Sequence, residues 1–212
     1  MKKKVYFVRH GESEDNAKKI FHGASSRLSK LGVEQAEFVA ERFTKLPVDI
    51  VLSSNLGRAQ ETAEIITKRI RKELVVSDLF QELIRPSELN GRTIDDPVTV
   101  QAKKEINDHA HDPKWHYSDE ENFTEFRDRL KKAFLFIEER PEENIAVVSH
   151  YNAIRMLLTV MLDPEATPEL FQQVYSLFHI QNTGITVYER GFNKIDPDNW
   201  KLVTWNDHAH LG

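Results

Sequence analysis

Val5-Tyr6-Phe7-Val8-Arg9-His10-Gly11 runs four apolar residues straight into an arginine, a histidine and a glycine. The apolar stretch reads as a short buried strand. A polar turn occupies the strand's carboxyl end. Gly11 has no side chain, so a ligand can approach the backbone there. Arg9 offers a planar, permanently charged fork that suits phosphate oxygens. His10 is the best side-chain nucleophile available, because the chain has no cysteine and neutral imidazole is nucleophilic near pH 7. Asn16 adds an amide donor. Taken alone, such an Arg-His pair also fits a solvated turn.

Two further stretches end in the same way. Asp49-Ile50-Val51-Leu52 leads into Ser53-Ser54 and Arg58, and Ile145-Ala146-Val147-Val148 leads into Ser149-His150. Helical patterns lie between the strands. Ser29 caps a helix expected over 29–46, with Val33, Ala36, Ala40 and Phe43 on one face and Pro47 beyond it. A second helix is expected over 56–72, with a stripe of Ala59, Ala63, Ile66 and Ile70. Phe123, Phe126, Leu130, Ala133 and Ile137 mark another. Further helices are expected over 151–162 and 168–178. Strands are expected at 74–76, 185–188 and 201–205, and residues 80–119 are less regular, with a weak helix over 98–106. Strands alternating with helices predict a three-layer α/β/α architecture with a largely parallel central sheet. A small lid insertion is expected over about residues 85–125, within one catalytic domain spanning 1–212. Open sheets of this kind bind ligands beyond the carboxyl ends of their strands, where Arg9, His10, Arg58 and His150 fall.

The bulk properties narrow the function. The chain has 212 residues, 40% of them hydrophobic, enough for one sizeable core. The net charge of -5 leaves no global basic footprint for nucleic acid or an anionic membrane. Any anion site must be built from locally placed cations. The absence of cysteine excludes disulfides and thiolate zinc sites. No apolar run approaches a membrane span, and the four residues after Lys2-Lys3-Lys4 are too few for a signal peptide. A cytoplasmic protein acting on a small molecule is expected.

The motifs together resemble the histidine phosphatase superfamily, the phosphoglycerate mutase-like proteins. The resemblance rests on Val8-Arg9-His10-Gly11-Glu12-Ser13 with Asn16 beyond. It continues through Leu31-Gly32-Val33-Glu34-Gln35-Ala36, the stretch from Ser53 to Ala63 and Val148-Ser149-His150. It closes on Asn182-Thr183-Gly184 and the stretch from Asn206 to Leu211. Each segment is short, but they occur in order from residue 5 to 211. The resemblance implies that His10 is phosphorylated, and that Arg9, Arg58 and His150 grip the phosphoryl oxygens with Asn16 assisting. Such a site stabilises charge on the equatorial oxygens without a metal or other cofactor.

The family also uses a carboxylic acid to protonate the leaving group. Phe80-Gln81-Glu82 matches that segment best, with Glu88 as competitor. Glu82 must hold its proton when substrate is bound. The implied activity is phosphomonoester hydrolysis. A cofactor-dependent phosphoglycerate mutase is the alternative, disfavoured because the chain is short and lacks the mutases' Arg-Arg-Ser segment. A non-catalytic phosphate or phosphoprotein binder is a third reading. The chain departs from the family at Tyr151-Asn152, where Gly-Gly or Gly-Asn often follows the second histidine. Specificity is expected in residues 20–29 and 85–125, where the resemblance is weakest. His109, His111, His116, His208 and His210 read as lid or surface residues rather than metal ligands.

Overall fold

Burial on both faces of the central strands explains their continuous apolar runs. The structure, a computed structural model, describes residues 2–21, 23, 26–192 and 198–212. Along β1 (Lys3–Arg9), Val5 and Phe7 enter one core cluster, while Tyr6 and Val8 enter a second on the opposite face. The same alternation holds in β2 (Ile50–Ser54) and β4 (Asn144–Ser149). Each such Val, Ile or Phe contributes about 1.5–3 kcal/mol on burial.

The sheet has six strands in the order β3-β2-β4-β1-β5-β6. The first four, with β3 at Leu74–Ser77, form a parallel run. The last two, β5 (Ile185–Arg190) and β6 (Lys201–Asp207), add on antiparallel. The expected largely parallel sheet is therefore present, with β5 alone running against the other five strands. Helices α2 (Lys30–Phe43) and α3 (Gly57–Ile70) cover one face through Val39, Ala40, Phe43, Ala59, Ala63 and Ile66. Helices α5 (Phe123–Glu139), α6 (Tyr151–Leu162) and α7 (Pro168–Leu177) cover the other.

Helix α2 stops at Phe43, three residues short of the expected end, and closes in a turn before Pro47. A short helix, α1 (Glu14–Lys18), lies between β1 and α2, where no element was expected. Ser13 and Asn16 close it in a reciprocal capping box. The weak helix expected over 98–106 is α4, Pro97–Asp108, started by Asp96 accepting from the Val98 amide.

The two segments expected to carry specificity meet each other. Phe21 N–H donates to Arg92 O at 2.9 Å, Gly91 N–H donates to Phe21 O at 3.0 Å, and Ile20 bridges to Thr93. His22, Ala24 and Ser25 of the first segment lie outside the described residues.

Candidate active site

Parallel pairing sets the site. Arg9 lies in register with Ser149, and Ser53 with Val148. The carboxyl ends of β2, β4 and β1 therefore deliver Ser54, His150 and His10 side by side. The His10 and His150 rings are 5.0 Å apart, centroid to centroid. Arg58 enters from the first turn of α3. A cleft of about 650 Å³ opens here, lined by Arg9, His10, Asn16, Arg58, Glu82 and Tyr151 among others.

The hydrogen bonds of His10 define its tautomer. Its Nδ1 lies 2.6 Å from Gly11 O, which can only accept. Its Nε2 lies 3.2 Å from Arg58 Nε, which can only donate. The proton therefore sits on Nδ1, and the lone pair on Nε2. Burial holds the pKa of His10 well below 6.5, and the charges of Arg58, His150 and Arg9 push the same way. The result is a neutral imidazole with its lone pair on Nε2.

Two buried guanidiniums flank it. Arg58 is 3% exposed and its Nη1 has no protein partner. Burial pushes its pKa down to about 10. Arg9 donates from Nη1 to Ile180 O at 2.7 Å, while its buried Nε has no protein partner. Burial lowers Arg9 as well, and the Glu82 charge opposes that shift. His150 is fully buried, with Nε2 2.8 Å from Ser54 Oγ. Asn16 lines the cleft, with its Oδ1 accepting from Ser13 N. The end of this amide that suits an anion is therefore Nδ2.

Glu82 and Glu88 are separated by the fold. Glu82 lines the cleft, whereas Glu88 is exposed outside it, beside the Tyr117 hydroxyl. The Glu82 carboxylate accepts from Leu83 N at 2.8 Å. It also accepts from Asn152 N and Ala153 N at 3.1–3.2 Å, in the first turn of α6. Backbone donors at a helix N-terminus suit a carboxylate.

One expectation is corrected. Gly11 does not leave room for a ligand. A Cβ there would meet Gly32 O at 2.4 Å, and a Cβ on Gly32 would meet Glu12 O at 1.9 Å. The two glycines let the turn after β1 press against the start of α2.

Several partners escaped sequence reasoning. Thr62 Oγ1 accepts from Gly11 N, and Asn182 Nδ2 donates to His10 O. Ser149 Oγ ties down Phe80 O. Tyr151 lies 4.9 Å from the Arg9 guanidinium and 3.6 Å from that of Arg155, which also donates to its hydroxyl at 2.6 Å. The departure at Tyr151 thus fills the cleft wall beside Arg9. Its position directly after His150 was the sequence signal for a place beside the pocket, and Arg155 four residues on is a legible partner.

The remaining histidines have other contacts. His109 stacks on Trp115 at 4.1 Å, and His210 meets Thr183 Oγ1 at 3.0 Å. Among the described residues, no three or more His, Cys, Asp or Glu side chains gather as a metal site. No described helix is long and apolar enough to cross a membrane.

Residues 5–208 match the model of the histidine phosphatase superfamily, branch 1, and the chain belongs to that family. A probable phosphoglycerate mutase GpmB from Serratia proteamaculans is 34% identical over 211 residues, 98% of this chain and 94% of that one. A putative phosphoserine phosphatase 2 from Hydrogenobacter thermophilus is 28% identical over 87% of this chain and 88% of its own. A mutant phosphoserine phosphatase from Entamoeba histolytica, solved in complex with phosphoserine, superposes with a TM-score of 0.78. It is 25% identical and aligns over 99% of this chain and 100% of its own.

Proposed function

We propose that this chain is a phosphomonoesterase that works through a phosphohistidine on His10. The observation that carries the reading is the tautomer of His10, with a lone pair on Nε2 beside Arg58. Nε2 attacks phosphorus as the bond to the leaving oxygen breaks. Glu82 acts as the general acid and gives a proton to that oxygen. Water then loses a proton to Glu82 and attacks phosphorus, and the P–N electron pair returns to Nε2. Arg9, Arg58, Asn16 and His150 hold the phosphoryl oxygens through both steps.

The cleft rim carries both signs, with Arg85 and His179 as cations or donors and Asp119 as an anion. That suits a leaving group with a carboxylate and an amine, so phosphoserine is the first substrate to test. The relatives that favour it act, by name, as phosphoserine phosphatases. The mutase-named relative favours 3-phosphoglycerate isomerisation as the second reading. The test is a quench after mixing with phosphoserine. Acid-labile phosphate on the wild-type protein, its absence in His10→Ala, and phosphate release exceeding 3-phosphoglycerate isomerisation are expected. Label that persists in His10→Ala would overturn the mechanism. Absence of label in wild type beside phosphate release would also overturn it, and absence of both would make the pocket a binder.

A further inference from the structure

We infer that Arg129 and Glu121 form a clamp that positions Glu82 for proton transfer, an inference that rests on the role of Glu82 proposed above. Arg129 lies on α5 and does not line the cleft. Its guanidinium has five N–H groups, and each has an acceptor. Nη1 donates to Leu79 O and to Gln81 O, both at 3.0 Å. Nη2 donates to Glu82 O at 3.2 Å and to Glu121 Oε2 at 2.7 Å. Nε donates to Glu121 Oε1 at 2.7 Å.

The three carbonyls belong to the irregular stretch that follows β3, where no strand or α-helix fixes the backbone. Glu82 is therefore held at both ends. Its carbonyl is fixed by Arg129, and its carboxylate by the amides of Asn152 and Ala153. Glu121 aligns the fork with a bidentate pair, and both side chains are nearly buried, at 13% and 7% exposure. Planarity is what the clamp needs. A lysine is a point charge and cannot span three carbonyls and a carboxylate. Small displacements of a catalytic group from its productive geometry carry large rate penalties.

A positioning role for an acid has a signature that a fold-stabilising role lacks. An alkoxide leaves only when protonated, whereas p-nitrophenolate leaves unaided. The experiment measures kcat/KM for phosphoserine and for p-nitrophenyl phosphate in wild type, Arg129→Lys, Glu121→Gln and Glu82→Gln. We expect Arg129→Lys and Glu121→Gln to lose about tenfold or more on phosphoserine and less than about threefold on p-nitrophenyl phosphate, a smaller version of the Glu82→Gln pattern. Equal losses on both esters, or no loss, in a folded Glu121→Gln protein would overturn the clamp. The isosteric Glu121→Gln keeps the test available should Arg129→Lys fail to fold. A Glu82→Gln protein with no preference between the esters would remove the acid itself, and the clamp with it. A selective Glu82→Gln beside unselective clamp variants removes the clamp alone.

Discussion

His10 is defined by two neighbours that cannot change roles, a carbonyl on one nitrogen and a guanidinium on the other. The first consequence is a pH dependence. Burial keeps His10 neutral in the folded chain, while the unfolded chain takes up a proton near 6.5. Below that pH the native state binds fewer protons, so stability present above it is lost as the solution is acidified. His210, lowered chiefly by burial, acts in the same direction. Urea midpoints should fall between about pH 7.5 and about pH 5.5, and less steeply in His10→Asn. The acid limb of kcat/KM should lie below 6.5; a limb at or above that value would contradict a neutral His10. The residue type and place of His10, Arg9, Arg58 and His150 were legible because each follows an apolar run at a strand end or helix start. The purpose of Gly11 was not. Its need for a bare Cα arises from Gly32, far along the chain, and long-range contacts leave no local pattern.

At the level of elements, the central strands were legible as short continuous apolar runs and the long helices by 3.6-residue stripes sustained over several turns. Helix α1 escaped because five residues with no buried side chain carry no stripe. The segment around Glu82 was legible as a residue match but not as a conformation, since its carbonyls are held by the Arg129 side chain of α5 and its carboxylate by amides of α6. Helix α5 shows a related dependence at its other end. Lys3, fully buried in β1, sends Nζ to the carbonyls of Ile137, Glu138 and Arg140 at 2.5–3.2 Å. A helix end leaves its last carbonyls short of partners; here Ile137 O also accepts from the Arg140 amide, and Lys3 serves all three. Lys3→Met should take this donor from them and cost about 1–3 kcal/mol. A lower urea midpoint with an unchanged denaturant slope is the expected outcome, and an unchanged midpoint would show that water serves them equally well.

Across the whole molecule, a chain of net charge -5 concentrates buried cations at one edge of its sheet. Arg9 Nε and Arg58 Nη1 lack protein partners there, which costs stability until an anion arrives. Inorganic phosphate at about a hundred times its Kd should stabilise the wild type by about 2.7 kcal/mol. Arg58→Met should melt higher than the phosphate-free wild type and gain nothing from phosphate. A phosphate-dependent rise that survives in that variant would place the anion elsewhere. The same scale gives the short ladder between residues 20–21 and 91–93 its meaning. Two loops from distant parts of the chain share backbone hydrogen bonds over the cleft. A loop of another backbone path in either place strands donors and acceptors on the other. Loop grafting from a relative is expected to keep the urea midpoint when both pieces move together and to lower it when one moves alone.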